Sequence, residues 1–600
     1  MHVLATAGHV DHGKSTLIRT LTGMEPDRLA EERNRGLTID LGFAWLMLPS
    51  GHQVAFVDVP GHERFLGTML AGVGPVPAVL FAVAADEGWM PQSEEHLAAL
   101  DALGVQHGLL VVTRSDLADP ARVLAAAQQR IGRSSLGKVP AVAVSATTGT
   151  GLPELVTAID EVTSGLPAPD LTAPVRLWLD RAFTIRGSGV VVTGTLGAGT
   201  IGLGDELELS PTRHRVQVRG LQTLERPAQS VGSVARVAVN LRGAERSAVS
   251  RGMALLTPGR WSLPEAIDVR LDRPEEDEAT DWDMPGAAVL HIGSGRTIAR
   301  IRPLAGDQRR LAARLTLRDQ LPLHIGDRAV LRDPGKARGE TRILARVTVL
   351  DVRPPALRRR GDAVNRGTRL LALADIPDGA VILAHHGVLR KADFTMMGVA
   401  PPEVPAVGEW LLHPGRRGEL GEQLAWLVTE YAKGHPLERG MPLDAARRAL
   451  NLPDRRLVGA LMPPPLRLVD GRIRSADQAQ ELPEPLASAI RAVVTELAKS
   501  PFSAPEQQDL AARRLDRKGL AAAERAGHLL RIADGIVLAP GADRDAAKIL
   551  ATLPQPFSAS DARRALDTTR RVIIPLLELL DREGYTERLD ANQRRCRAPG

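Results

Sequence analysis

Over the first 165 residues, continuous apolar runs alternate with stretches whose apolar positions recur every three or four residues. His2–Ala7, Gln53–Val59, Ala78–Ala84, Leu109–Thr113 and Ala141–Val144 read as buried strands, and Lys14–Leu21, Ser93–Leu103 and Pro120–Ile131 read as the helices between them. That alternation predicts a parallel sheet with helices on both faces. A Pro-rich linker, GLPAPDLTAP, follows from Gly165 to Pro174. From Val175 to about Arg360 the pattern shortens to alternating runs broken by Gly and Asp, such as GTIGLGDELEL and AAVLHIGSGRTIARIRPL. Two consecutive β-barrels account for it most simply.

Beyond about Asn365 the periodicity becomes helical and repeats. PFSA occurs at Pro501–Ala504 and again at Pro556–Ala559, and DAARRAL (Asp444–Leu450) recurs as DARRAL (Asp561–Leu566). An Arg-Arg pair then opens an apolar helix in each case, Arg455-Arg456 and Arg570-Arg571, and short β-like ends such as LRLVDGRIR and YTERLDANQRR come next. Helix–turn–helix plus a two-stranded wing, repeated every 50–60 residues, predicts a tandem winged-helix array. The expected boundaries are 1–168 for the α/β P-loop domain, 174–262 and 263–364 for the barrels, and 365–412, 413–480, 481–543 and 544–600 for four winged helices.

Composition narrows the function classes. The chain has 600 residues, 44% hydrophobic and 24% charged, as expected of a folded multidomain protein. No apolar stretch approaches the ~18 residues of a membrane span, and no signal peptide is read at the start, so a cytoplasmic protein without a membrane partner is expected. A single cysteine, Cys596, excludes a disulfide framework. The formal charge of +5 permits a nucleic-acid partner without demanding one. Aromatics are only 3%, so base stacking is an unlikely main device and arginine should carry any nucleic-acid contact.

The chemistry begins at Gly8–Ser15, GHVDHGKS, which fits G-x-x-x-x-G-K-[ST] between a strand and a helix. Gly8, Val10, Asp11, His12, Gly13 and Thr16 belong to a loop whose backbone can wrap phosphates, Lys14 would place its charge on the β/γ oxygens, and Ser15 would ligate Mg²⁺. Asp58-Val59-Pro60-Gly61 ends the next strand, suited to a Mg²⁺ contact at Asp58 and a γ-phosphate-sensing hinge at Gly61. Thr38, within ERNRGLTIDLGF, can reach the same Mg²⁺ when the nucleotide carries a γ-phosphate. Asp116, in Thr113-Arg114-Ser115-Asp116, is placed to accept from guanine N1–H and the N2 amine, and Ser145-Ala146 can close on O6. Five elements in order, each at the C-terminal end of a strand, point to GTP/GDP and Mg²⁺ as cofactors.

GHVDHGKS, RGLTID, DVPGHERF and AADEGWMPQSEEH together resemble the translational GTPases of the elongation factor Tu class. The resemblance implies ribosome-triggered GTP hydrolysis, with His62 positioning the attacking water and Val10 and Ile39 forming an apolar gate before it. The chain departs from that family's Asn-Lys-x-Asp motif at Thr113 and Arg114. Thr113 lacks the carboxamide that reaches guanine N7 and ties the phosphate loop, while Arg114 can pack over the base.

RGLTIDLGFAWL, the segment from Arg64 to Leu97 and the long C-terminal extension resemble the bacterial selenocysteine-specific elongation factors across nearly the whole chain. That resemblance implies delivery of selenocysteyl-tRNA to the ribosome at UGA codons marked by a messenger-RNA hairpin, by a monomer. Asp180, Arg181 and Arg236 match the residues implied to surround the aminoacyl group: an arginine pair favours an ionised selenolate over the neutral serine hydroxyl. In the last winged helix Arg563, Arg564, Arg570 and Arg571, with Arg588, Arg594 and Arg595 on its wing, are expected to clamp the hairpin's phosphates, about half of them in contact. Two competing readings are the GTPase subunit of a sulfate-activating enzyme, which would lack the winged-helix tail, and a nucleic-acid-binding regulator whose GTPase domain is a scaffold.

Overall fold

The computed structural model describes residues 1–26, 38–62, 65–74, 76–187, 189–274, 284–333, 343–438, 440–476, 482 and 484–597. ERNRGLTIDLGF is thus described only from Thr38 onward, and Glu63 and Arg64 of DVPGHERF lie outside. The chain divides into two compact units, Met1–Val404 and Pro405–Gly600. Among the described residues no helix is long and apolar enough to cross a membrane.

The first unit opens with a six-stranded sheet built from β1 (His2–Ala7), β2 (Gly42–Met47), β3 (Gln53–Asp58), β4 (Ala78–Ala84), β5 (His107–Thr113) and β6 (Ala141–Ala143). Its order is β2-β3-β1-β4-β5-β6, parallel except for β2, which pairs antiparallel with β3 at the edge. The period-2 geometry of a strand divides the runs between two cores. Val3, Ala5 and Ala7 join Phe81 and Leu110 on one face, whereas Leu4 joins Leu17, Ile18, Phe56 and Leu80 on the other. Every residue of β4 is buried, as a central parallel strand covered on both faces requires. The helices Leu66–Val73 and Leu152–Ser164, like β2, are additions to the elements expected from the pattern.

Six antiparallel strands of the second domain close into a ring in the order Glu206–Leu209, Ala254–Leu256, Arg176–Trp178, Gly189–Leu196, Ala235–Arg242 and His214–Thr223, the last pairing back to the first. Alternation decides which side chains leave the barrel. Ala235, Val237, Val239 and Leu241 are buried in its core, so Arg236 projects from the opposite face. The third domain is a closed barrel of Ala266–Asp272, Arg310–Leu317, Gly295–Gly306, Ala287–Ile292, Arg328–Arg332 and Ile343–Asp351. Arg176 joins the barrels through a two-armed bond to Asp327 (2.5 and 2.7 Å) while lying over the Trp261 ring at 4.5 Å.

The helix Asp362–Leu371 is fastened to the third domain. Buried Arg366 reaches Asp268 (2.8 Å) and Asp351 (2.5 Å), and Gly367 lies so close to Ala305 that a Cβ there would come within 2.6 Å. The first unit ends inside the 365–412 stretch.

In the second unit the sequence repeat becomes a structural one. DAARRAL and DARRAL form the second helices Leu443–Ala449 and Ala559–Ala565, and the Arg-Arg pairs open the third helices Arg455–Leu461 and Arg570–Arg582. Two-stranded wings follow at Leu466–Val469 with Arg472–Ser475, Leu530–Ala533 with Ile536–Leu538, and Thr586–Arg588 with Gln593–Cys596.

Candidate functional site

The phosphate loop follows β1 and leads into the helix Lys14–Thr22. Asp11 and Gly13 both take positive φ (63° and 73°), which turns the chain tightly before the helix starts. Buried Lys14 donates from Nζ to the carbonyl oxygens of Gly8 (3.0 Å) and His9 (2.6 Å), and burial lowers its pKa to about 8. Ser15 Oγ donates to Asp58 Oδ2 at 2.6 Å, so at the 2.9 Å contact between Ser15 Oγ and Thr38 Oγ1 it is Thr38 that donates. Three oxygens expected to share a divalent cation therefore converge, a hard donor set that fits Mg²⁺. Thr6, the fully buried polar residue of β1, holds the other carboxylate oxygen (Oγ1 to Asp58 Oδ1, 2.7 Å) and accepts from the Val59 amide.

A cleft of about 840 Å³ opens beside this cluster. Its walls include Val10, Asp11, Gly13, Lys14, Ser15, Thr16, Thr38, Gly61, Arg114, Asp116 and Ala146, so most of the expected nucleotide residues share one cavity. Leu117, Val144 and Thr147 also line it and were not anticipated. Gly61 must be glycine because a Cβ there would fall 2.6 Å from both Lys14 Nζ and the Val10 nitrogen. His62 follows immediately, edge-on to Phe65 with ring centroids 6.1 Å apart, and it does not line the cleft. Ile39 is half-buried.

Gly8, His12 and Ser145, expected at the nucleotide, stand behind the cleft walls. The Gly8 amide donates to His96 Nδ1 (3.1 Å), and a Cβ on Gly8 would meet the Ala82 carbonyl at 2.1 Å. His12 is fully buried with Nδ1 3.3 Å from the Ala82 oxygen, and burial lowers its pKa to about 4. Ser145 is buried and accepts from the Thr148 amide, which shapes the turn that presents Ala146 and Thr147. Even the Val10 amide is bonded to a side chain, Gln92 Oε1 at 3.2 Å. Gln92 and His96, four residues apart on the helix Pro91–Leu103, thus hold the loop from below; their i, i+4 spacing in PQSEEH was the available sign.

The guanine motif also differs from expectation. Thr113 does tie the phosphate loop: its hydroxyl donates to the His12 carbonyl at 2.8 Å. The Arg114 guanidinium is engaged by Asp86 (3.0 Å), Glu87 (2.8 Å) and the Asp11 carbonyl, so its charge is anchored to the rim and not held for stacking on a base.

On the second domain, Arg236 forms a two-armed bond to buried Asp180 and also donates to Thr195 Oγ1 (3.1 Å). Thr193 donates to Asp180 Oδ1 at 2.6 Å. Arg181 turns the other way. Its Nε donates to Asp40 Oδ2 (3.3 Å) and its terminal nitrogen to the Leu41 carbonyl. Both arginines lie over the ring of Phe43, Arg236 Cζ at 3.9 Å and Arg181 Cζ at 5.0 Å from its centroid. Phe43 was not anticipated, because its approach depends on how β2 faces the barrel.

In the last winged helix Arg563, Arg570 and Arg595 are exposed, and Arg564 pairs with Asp561 within its own helix. Arg588 bonds backbone carbonyls of its own wing at Asp590 and Ala591. Arg594 departs from the expected phosphate clamp. It is 6% exposed and donates from Nε to Asp581 Oδ2 at 2.9 Å, because its alternate position on the wing strand faces the helix. Arg571 is likewise committed, bonding the Ala504 and Pro505 carbonyls of the preceding repeat at 2.7 and 3.0 Å.

A phosphate-loop α/β domain with this cleft, followed by two antiparallel barrels, defines a translational GTPase of the elongation factor Tu kind. Residues 1–164 match the elongation factor Tu GTP binding domain family, and residues 548–595 match the winged helix of elongation factor SelB. The chain is 31% identical over 627 residues to the selenocysteine-specific elongation factor of Escherichia coli (strain K12), covering 98% of this chain and 97% of that one. With the selenocysteine-specific elongation factor of Desulfomicrobium baculatum it shares 45% identity over 260 residues, 43% of this chain and 41% of that relative. The crystal structure of a bacterial selenocysteine-specific elongation factor superposes with a TM-score of 0.69 at 25% identity and full coverage of both chains. The chain belongs to the selenocysteine-specific elongation factors, and the family's GTPase domain carries guanine-nucleotide binding and GTP hydrolysis.

Proposed function

We propose that this chain, with GTP bound, carries selenocysteyl-tRNA as a monomer to cytoplasmic ribosomes at UGA codons marked by a messenger hairpin, and releases it on hydrolysis to GDP and phosphate. In the cleft Lys14 balances the β/γ phosphate charge and Asp116 accepts from the guanine edge. Ser15, Thr38 and Asp58 would hold Mg²⁺, which would neutralise phosphate charge. Val10 and Ile39 keep His62 from the γ-phosphate until codon pairing on the ribosome brings it to the attacking water, so intrinsic turnover is slow. The aminoacyl end enters beside Arg181 and Arg236. A selenolate adds a charge-assisted partner to a partly desolvated arginine pair already braced by Asp180 and Asp40, whereas the neutral serine hydroxyl does not. Arg563, Arg564, Arg570, Arg588 and Arg595 hold hairpin phosphates and raise the local concentration of the complex at one codon.

The observation that carries this reading is the pair Arg181 and Arg236 over the ring of Phe43, within the same compact unit as the nucleotide cleft. The test compares selenocysteyl- and seryl-ester hydrolysis on one tRNA, with and without GTP. GTP-dependent protection of the selenocysteyl ester alone is the expected result. Equal protection would remove the discriminating role of the arginines, and protection of neither would remove delivery.

A further inference from the structure

The two arginines are held by different parts of the molecule. Arg236 is fixed within its own barrel by Asp180, which is itself fixed by Thr193. Arg181 is held by the GTPase domain, through the Asp40 carboxylate and the Leu41 carbonyl. The second oxygen of Asp40 accepts from Arg251 at 3.1 Å, so one carboxylate bridges two arginines of the barrel domain. Two residues before Asp40 stands Thr38, whose hydroxyl lies 2.9 Å from Ser15 in the Ser15–Thr38–Asp58 oxygen cluster. A chain in extended conformation covers only about 7 Å in two residues. With only Ile39 between them, a displacement of Thr38 by more than a few ångströms must draw Asp40 with it.

We propose that Asp40 is a positioning residue that couples the nucleotide site to the aminoacyl site: with Thr38 held at Ser15, Asp40 keeps Arg181 beside Phe43 and Arg236, and release of Thr38 withdraws it. This rests on the assignment of Arg181 and Arg236 to the aminoacyl group. The ion pair suits a positioning role better than a stabilising one, because the Asp40 and Arg181 side chains are 29% and 27% exposed and solvent screens their attraction. What the pair supplies is direction: Nε points at the carboxylate and one terminal nitrogen at the Leu41 carbonyl, with the guanidinium over an aromatic ring. An arginine oriented before the ligand arrives loses less entropy on binding it. The nucleotide state thus becomes readable at the amino acid through a single side chain.

The experiment measures affinity for selenocysteyl- and seryl-tRNA with GDP and with a non-hydrolysable GTP analogue, in the full chain and in Asp40→Asn, Asp40→Glu, Arg181→Ala and the Asp40→Asn/Arg181→Ala double variant. Asp40→Asn keeps the size and removes the charge. The expected loss is about tenfold for selenocysteyl-tRNA in the GTP-analogue state, the scale of one charged hydrogen bond. The GDP state, the seryl form and nucleotide affinity itself are expected to stay unchanged. Asp40→Glu is expected to recover part of the loss, and the double variant to be no worse than Arg181→Ala. If Arg181→Ala abolishes discrimination while Asp40→Asn binds like the parent or more tightly, the coupling role of Asp40 is overturned and the pocket stands. If Arg181→Ala itself leaves discrimination intact, the pocket assignment falls and the coupling falls with it. An equal loss in the GTP-analogue and GDP states also overturns the proposal.

Discussion

The Thr113 hydroxyl donates to the His12 carbonyl oxygen at 2.8 Å, joining the end of β5 to the middle of the phosphate loop across more than a hundred residues of sequence. Thr113 is buried at the back of the nucleotide cleft, which it also lines. Thr113→Val keeps the shape and leaves that carbonyl short of its donor. The expected cost is about 1–2 kcal/mol of loop order, read as a roughly five- to thirtyfold rise in the GDP dissociation constant by fluorescence titration. Unchanged affinity would make the bond incidental to nucleotide binding.

Asp116 is exposed in the cleft wall beside Arg114 and Leu117. As a carboxylate it can accept from both guanine donors, and Asp116→Asn would present an N–H to one of them. Two charge-assisted bonds at about 1.5–2 kcal/mol each predict a loss of two to three orders of magnitude for GTP. Xanthosine nucleotides, which carry an oxygen at that edge, should be recovered in the same competition assay.

Burial lowers the Lys14 pKa to about 8 in the protein without nucleotide. Phosphate oxygens favour the charged form, so nucleotide binding raises that pKa again. Calorimetry in buffers of different ionisation enthalpy should show proton uptake on GDP binding at pH 8.5 and almost none at pH 7. The unfolded chain binds this proton up to the ordinary lysine pKa, whereas the folded chain releases it near 8. Between those values the unfolded state holds more protons, so this group makes the nucleotide-free protein more stable as pH rises. Absence of uptake at pH 8.5 would mean that Lys14 stays charged.

Arg236 and Arg181 should separate in stability although both serve the amino acid. Arg236→Ala leaves Asp180, 6% exposed, without its cation, a loss of about 3 kcal/mol or more by analogy with broken buried pairs. Arg181→Ala removes a pair little more than a quarter exposed on each side and should cost about 1 kcal/mol or less. Thermal melting with GDP bound reads the first difference. Both variants are expected to lose selenocysteyl-over-seryl discrimination.

On the last winged helix, Arg563→Ala and Arg570→Ala should each lower hairpin affinity and reduce the salt slope by about one. Arg594→Ala should instead loosen the wing, because Asp581 loses its cation and keeps only the Thr586 hydroxyl. A normal salt slope with a lowered melting temperature would mark it as structural. A reduced slope at Arg594 would return it to the RNA surface.

The parallel strands, both barrels, the winged-helix repeat and the order of the nucleotide motifs were legible along the chain, since each rests on local periodicity or fixed spacing. His2–Ala7 and Ala78–Ala84 appear where the apolar runs lie, because a strand buried on both faces writes itself as a continuous run. The edge strand Gly42–Met47 was missed although GFAWLM is itself a continuous apolar run, because its segment belongs to the motif RGLTIDLGFAWL. Thr6, Gln92 and His96 were also missed, being polar residues whose partners lie far away in sequence.

By itself, then, the sequence determined which elements form and which residue types meet a phosphate, because those follow from side-chain pattern within a few residues. Only the tertiary structure decided that Arg114 is anchored to Asp86 and Glu87, that Arg594 is buried on Asp581, and that Arg181 and Arg236 both meet Phe43. An arginine carries the same charge whether it faces a partner, a core or water. Which of these it meets is set by the packing of elements distant in sequence, and no local pattern records it.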